Sequence, residues 1–391
     1  MEVQKYFDQK EELYINLIAF IENREFDDKD FEILIENIDS LDIKNSKEEM
    51  EHFFRLIISI SNNHYRFIGF QDKIERILQY FDNIQNFFTN SELYNIFESN
   101  KRILAYFLKK QIIIVNEFIY DIIKNKQEMN GVKYFNFFLP EIKNFEKDEK
   151  EIEKIEKEIQ SYSCYDEKRS QGENDSYIAS LIRQDSIEEF VSYTIQTNYS
   201  LSSIIKPSVF ETNSFLNDNE PTLIEYAAFF GSIQIFNYLK ISGIELIPSL
   251  WLYSIHSNDA EMIHLLEENQ VKPPNNSYET CLFEAIKCHH NEIAQYIENN
   301  LISNPQNQLN FDEKITDCSF CYYNYFYFPK KYTESYLLFY YCQYNYYNIV
   351  DIFFHYKSFE IQRMLTITNY KYNNISIIMF SMQFFDSYVF K

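Results

Sequence analysis

Residues 222–239 read TLIEYAAFFGSIQIFNYL, and this stretch decides the fold. It predicts two short helices joined by a tight turn. Thr222 caps the first helix, and Glu225, three residues later, completes a capping box. Gly231 lies at the turn, where a residue without a Cβ atom adopts positive φ at no steric cost. The second helix then has an apolar stripe formed by Ile235, Phe236 and Leu239.

The same pattern recurs through the second half of the chain. The segments that begin at Asp185, Asn258 and His289 align with the turn at Gly231 and its following helix, and Asn345 begins another. We predict units near residues 177–195, 222–243, 249–270, 280–300 and 335–356, with a partial unit near 375–391. Such units bury their apolar faces only by stacking on one another.

This pattern resembles the ankyrin repeat, in which Thr-Pro-Leu-His-x-Ala-Ala is followed by a glycine turn and, after the second helix, by a further glycine. Gly243 stands at that second position. Together with residues 248–256 and 261–267, the stretch is similar to a large ankyrin-repeat family of trichomonad-type protists, whose helical N-terminal region has no established function. The resemblance implies an all-α ankyrin solenoid and protein binding. The chain departs from the general pattern where Glu225 replaces the usual His, and where His289 and Asn345 replace Gly.

The first part of the chain is also predicted to be helical. Residues 1–126 contain apolar stripes at helical spacing, including a longer, almost wholly apolar helix over 103–123. Residues 1–126 are interpreted either as degenerate ankyrin-like helix pairs or as a separate helical domain. Residues 127–175 are predicted to form a charged helix, over about 142–160, and then a polar linker over 161–175. The ankyrin repeats would occupy 176–391.

The composition excludes several classes of partner. A net charge of −23 disfavours binding to nucleic-acid phosphates and to anionic membrane surfaces, because both need a Lys/Arg surface.

The first residues have no apolar run typical of a secretory signal, and the apolar runs are shorter than a membrane span. Six cysteines without a dense framework fit a reducing compartment. We therefore expect a cytoplasmic protein.

In a stack of helix pairs the connecting loops are free to make contacts. Residues 198–220 are predicted to form a long finger loop, and the first helices are predicted to expose their starts. The candidate partner-contact residues are Glu211, Asn213, Asp218, Asn219, Trp251 and Tyr278. A negative surface favours a basic protein partner through electrostatic steering. A homodimer formed through the apolar C-terminal end is a further arrangement that the sequence leaves open.

No sequence motif indicates catalysis, and neither a cofactor nor a metal is predicted. The chain has no phosphate-binding glycine loop. Cys318 and Cys321 have the spacing of half a zinc site, which the segment containing Cys281, Cys288, His289 and His290 could complete, but packing is the simpler interpretation. His256 and His264 are interpreted as core or helix-end residues. We predict a protein-binding scaffold that is not an enzyme; the alternatives are a self-assembling structural protein and an enzyme whose site lies in the N-terminal region.

Overall fold

Helices dominate the computed structural model, which confirms the prediction of an all-α fold. The structure describes residues 2–23, 28–67, 69–126, 132–302, 308–329, 337–346 and 349. Within these residues there is no β-strand, and one isolated antiparallel bridge joins Ile204 to Thr222. The described part of the chain also contains no helix that combines the length and the apolar character needed to cross a membrane.

The helices are short and closely spaced. In the first part of the chain they are α1 (Glu2–Glu22), α2 (Asp28–Ser40), α3 (Lys47–Asn63), α4 (Phe70–Gln79), α5 (Asn90–Phe97), α6 (Lys101–Lys109), α7 (Glu117–Asn125), α8 (Leu139–Phe145), α9 (Glu149–Ser161) and α10 (Tyr165–Gln171). They continue as α11 (Tyr177–Arg183), α12 (Ile187–Gln196), α13 (Ser214–Asn219), α14 (Leu223–Phe230), α15 (Ile233–Ile241), α16 (Leu250–His256), α17 (Ala260–Glu268), α18 (Glu279–Lys287), α19 (Asn291–Tyr296), α20 (Gln308–Cys321) and α21 (Leu337–Gln343).

Contacts divide the chain into two units. One combines residues 1–57 with 304–391, and the other contains residues 58–303, so that the division falls within α3. The predicted boundaries after residues 126 and 175 both lie inside the second unit. The predicted partial repeat at 375–391, and with it the C-terminal dimer surface, lies outside the described residues, as does half of the repeat at 335–356.

The second unit contains a row of four helix pairs whose members pack against each other, α11/α12, α14/α15, α16/α17 and α18/α19. We call this row the helix-pair array. Each first helix packs against the first helix of the next pair in chain order. At the start of α14 the predicted capping box is present, since Glu225 N–H donates to Thr222 Oγ1 and Thr222 N–H donates to Glu225 Oε2. Thr222 and Glu225 thereby satisfy N–H groups that a helix end leaves without partners.

The turn inside every pair of the array has the same backbone conformation. One or two residues after each first helix comes a residue with positive φ, which is 48° at Asp185, 67° at Gly231, 52° at Asn258 and 60° at His289. A left-handed residue at this position ends a helix and reverses the chain. Glycine occupies it once, and Asp, Asn and His occupy it elsewhere, so the turn repeats although its residue type does not.

Four predicted segments differ from the structure. The charged helix predicted over about 142–160 is divided into α8 and α9, because Glu146 has an extended backbone. Residues 103–123 form two helices, α6 and α7, because Gln111 has positive φ and the Asn116 side chain caps α7 by accepting the Ile119 N–H. The predicted linker contains α10, which is held by the buried Tyr165 ring. The predicted finger loop contains α13, capped by Asn213. The side-chain caps of Asn116 and Asn213 therefore start helices that apolar periodicity alone did not place.

The first unit has an aromatic core drawn from both ends of its sequence. Phe7 of α1 stacks on Tyr341 of α21 with ring centroids 5.6 Å apart. Phe320 of α20 is fully buried and stacks on Phe328 at 4.2 Å. The high aromatic content therefore contributes directly to packing in this unit.

Candidate functional site

The six predicted partner-contact residues do not share one surface. Asp218 and Asn219 are exposed at the end of α13, and Tyr278 is partly exposed. Glu211, Asn213 and Trp251 are buried, with 3%, 2% and 0% of their surfaces exposed. The expectation that these last three are exposed is wrong.

Trp251 is part of the core of the array. Its indole Nε1–H donates to the Val271 carbonyl oxygen at 2.8 Å, and its ring meets the edge of Tyr278 at 5.0 Å. A buried indole needs such a partner for its N–H group. The first turn of α16 therefore points its largest side chain inward, which the position at the start of a helix did not reveal.

Glu211 is buried because it accepts hydrogen bonds from the backbone. Its carboxylate accepts the N–H of Asn213 at 2.7 Å and the N–H of Asn174 at 3.2 Å. Its own carbonyl oxygen accepts from Lys101 Nζ at 2.9 Å. The bonds from Asn174 and Lys101 fix the segment before α13 against residues that lie 37 and 110 positions earlier in the sequence.

A group of charged side chains surrounds Glu211. Arg66 Nη1 lies 4.0 Å from Glu211 Oε1 and 3.8 Å from Glu173 Oε1. Burial and the nearby charge of Glu173 raise the pKa of Glu211 to about 7, against the lowering effects of Arg66, the Asn213 N–H and Arg183. We call Glu173, Glu211 and Arg66 the buried charge cluster.

Neighbouring helix pairs are joined by hydrogen bonds at equivalent positions. Ser232, one residue after its turn, donates Oγ–H to the Ile182 carbonyl oxygen of the preceding pair. His290 has the same place in the fourth pair, and its Nδ1 bonds the Ile255 carbonyl oxygen at 2.7 Å. The Tyr65 N–H donates to His290 Nε2 at 3.1 Å. His290 is therefore a neutral imidazole with the proton on Nδ1, and burial lowers its pKa.

Ser59 and His289 form a pair that resembles a nucleophile and its base. Ser59 Oγ lies 3.2 Å from His289 Nε2. Burial and the nearby His64 lower the pKa of His289 to about 3. The two residues are 8% and 1% exposed. Because a catalytic serine must be reached by a substrate, this geometry favours a structural bond that fixes the turn after α18.

A third group joins the ends of α16 and α18. We call His256, Glu284 and Cys288 the His256 cluster. His256 Nε2 lies 2.8 Å from Glu284 Oε1, and Cys288 Sγ lies 3.8 Å from His256 Nε2. Lys287 Nζ also donates to Glu284 Oε1, at 3.0 Å. Within the described residues this is the group in which three potential metal-ligand atoms lie within 4.8 Å of one another.

The charges of the His256 cluster follow from burial and pairing. Burial lowers the pKa of His256, against the hydrogen bond and charge of Glu284. Burial acts to raise the pKa of Glu284, but His256 and Lys287 outweigh it and hold that pKa below its usual value. At neutral pH the carboxylate is therefore ionised and the imidazole is neutral, which is the form in which histidine binds metals.

The predicted half zinc site at Cys318 and Cys321 lies at the end of α20. Cys321 is exposed and Cys318 is partly exposed. They belong to the first unit, whereas Cys281, Cys288, His289 and His290 belong to the second. The ligand group that the structure brings together contains Cys288 but joins it to His256 and Glu284. The sequence does not reveal this group, because its members come from two helices and no spacing motif connects them.

Comparisons of the chain with protein-family models, with curated proteins and with solved structures found no match. The ankyrin resemblance therefore stays an expectation from the sequence. The function of this chain can be inferred only from the geometry and charge of its described residues.

Proposed function

We propose that this chain is an ankyrin-type scaffold that binds a protein partner through the loops between its helix pairs. The observation that carries the proposal is the repeated left-handed turn at Asp185, Gly231, Asn258 and His289, in four pairs that pack in chain order. In an ankyrin-type solenoid, pairs with equal turns repeat with one orientation, and the loops between successive pairs then lie at one edge of the row. An extended row of loops is the surface that repeat proteins use for docking.

The contact surface is narrower than the sequence suggested. With Glu211, Asn213 and Trp251 in the interior, the first finger offers Asp218, Asn219 and Glu220, which are all exposed. We call these three residues the finger tip. The next loop exposes Glu245. Buried polar residues hold the base of the finger, so the tip is presented by a fixed backbone, which lowers the entropy cost of binding.

The charge of this surface favours a basic partner. Two of the three finger-tip residues are acidic, and the net charge of the chain is −23. Long-range attraction raises the association rate and weakens as salt screens it. We therefore expect association with the partner to slow as ionic strength rises.

The test uses two variants with the same change in charge. Asp218→Lys with Asn219→Lys reverses the finger tip, while Glu188→Lys with Ser192→Lys places equal charge on exposed positions of α12. Candidate partners are first found by proximity labelling, and binding is then measured with purified proteins. We expect the finger-tip variant to weaken binding at least about tenfold, a loss of about 1.4 kcal/mol, and the α12 variant to bind like the unaltered chain. Equal binding by both variants would overturn the proposal.

A further inference from the structure

The His256 cluster contains three different kinds of zinc ligand. His256 supplies an imidazole nitrogen, Cys288 a sulfur and Glu284 a carboxylate oxygen, and these atoms lie within 4.8 Å of one another. Zinc sites with three protein ligands use such mixtures and leave a fourth position for water. The group lies inside the array, and none of its three residues belongs to the finger tip that the proposed function uses.

Its spacing can be compared with that of a tetrahedral zinc site. With Zn–N and Zn–S bonds of about 2.0 and 2.3 Å, the nitrogen and sulfur ligands are about 3.5 Å apart, and nitrogen and oxygen ligands are about 3.3 Å apart. Here His256 Nε2 is 2.8 Å from Glu284 Oε1, while Cys288 Sγ is 3.8 Å from Nε2 and 3.5 Å from Nδ1 of the same ring. Because the sulfur is almost equidistant from both nitrogens, it lies over the ring, and metal binding requires the Cys288 side chain to turn towards Nε2 while the carboxylate withdraws from Nε2 by about half an ångström.

Rigid elements hold the three side chains. Glu284 and Cys288 are four residues apart at the end of α18 and therefore share one face. His256 is the last residue of α16, the helix that packs beside α18. A ligand set on two packed helices is positioned more accurately than one on loops.

Neighbouring aromatic rings and a backbone group also fix the orientation of the His256 imidazole ring. Phe229 stacks on it at 4.9 Å with an interplanar angle of 21°, and Phe215 lies at 4.3 Å. A backbone hydrogen bond with Asn63 favours one orientation of the ring. Contacts of this kind orient metal-binding histidines in known sites.

We propose that His256, Glu284 and Cys288 bind one zinc ion, which joins the third helix pair of the array to the fourth. Binding breaks the hydrogen bond that His256 Nε2–H donates to Glu284: the proton moves from Nε2 to Nδ1, Nε2 and the carboxylate then bond the ion, and Cys288 loses its thiol proton to solvent. The ion reaches the cluster from the side of Glu284 and Lys287, whose side chains are 15% and 23% exposed.

Lys287 provides an internal test of this site. Its ammonium group bonds Glu284 Oε1 at 3.0 Å and so competes with a cation for the carboxylate. Replacing it with the uncharged Lys287→Met removes that competitor and the repulsion between two cations. We expect zinc affinity to rise several-fold in this variant.

The experiment uses the full chain and cobalt(II) as a spectroscopic probe. Zinc per chain is measured by native mass spectrometry, and cobalt is titrated into the zinc-free protein. We expect one equivalent of metal and a thiolate-to-cobalt absorption band. The band should disappear in Cys288→Ser and persist in Cys281→Ser, which alters a buried cysteine two turns earlier on the same helix.

Stability gives a second readout if Cys288→Ser fails to fold. In the unaltered chain, zinc should raise the unfolding temperature and a chelator should reverse the rise. Absence of stoichiometric metal with no thiolate band in the unaltered chain would overturn the proposal. So would a band that survives Cys288→Ser or is lost in a folded Cys281→Ser.

Discussion

The helix-pair array and the aromatic core of the first unit are stabilised by contacts of different sequence range. In the array each helix pair meets the next one in the chain, and the turn between helices repeats. In the first unit Phe7 packs against Tyr341, almost the whole chain length away. Contacts between neighbours leave a repeating pattern in the sequence, whereas distant contacts leave none. This difference explains why the array was predicted in detail and the first unit was not.

The array also has distant contacts, and several of these are polar. The His64 Nδ1 atom bonds the Cys288 carbonyl oxygen at 2.9 Å, and Lys101 bonds the Glu211 carbonyl oxygen. Residues 58–126 are thus attached to the array by buried hydrogen bonds, while rings close the first unit. The free energy that a buried hydrogen bond contributes depends on the protonation state and geometry of its partners, whereas the free energy contributed by packed rings depends on side-chain volume.

The largest effect is expected from the aromatic core. Phe320→Ala removes a fully buried ring that stacks on Phe328, and should cost about 3–5 kcal/mol of unfolding free energy. Chemical denaturation gives the cost, and peptide-resolved hydrogen exchange locates it. We expect faster exchange in α1 and α20 and unchanged exchange in α14–α17. The control is Leu309→Ala, at a site on the same helix that is 77% exposed. Equal acceleration in the array would remove the distinction between the two regions.

The second effect concerns the buried charge cluster. Because the pKa of Glu211 is raised to about 7 in the folded chain, the folded state binds the proton more tightly than the unfolded state, whose Glu pKa is about 4.5. The bound proton of Glu211 stabilises the folded state fully below pH 4.5. About 1–3 kcal/mol of unfolding free energy is lost as the pH rises through 7. Unfolding by urea between pH 5 and 8 measures it.

Glu173→Gln sharpens this measurement. Removing the neighbouring negative charge should lower the pKa of Glu211 and flatten the dependence of stability on pH. Glu188→Gln, at an exposed position, should leave the slope unchanged. An unchanged slope in Glu173→Gln would show that another group is responsible.

The smallest effect tests the bond between neighbouring pairs. The Asp185 carboxylate accepts the N–H groups of Gln234 and Ile235, and so caps α15 of the next pair. Asp185→Gly keeps the positive φ but removes both acceptors, and should cost about 1 kcal/mol. Asp185→Asn keeps an acceptor and should cost less. If the two variants lower the unfolding free energy by the same amount, the contribution of Asp185 to stability comes from its backbone conformation and not from the cap.

Part of the fold could be derived from sequence because caps and turns act locally. The capping box of Thr222 and Glu225 and the positive φ of Gly231 were both predicted and both confirmed. Caps formed by Asn116 and Asn213 were equally legible as residue types but were overlooked, which left α7 and α13 unplaced. Exposure was harder to predict, because whether Glu211 lies inside depends on Asn174 and Lys101, which are distant in sequence.

The sequence alone determined that the chain is helical and where the helix pairs of the array begin and turn, because hydrogen bonds within a helix and at its ends involve residues a few positions apart. Tertiary structure alone decided which polar residues meet in the interior. His256, Glu284 and Cys288 come together only because α16 packs beside α18, and Phe7 reaches Tyr341 only when the ends of the first unit meet. Burial and proximity between distant residues are properties of the packed chain, and no local pattern encodes them.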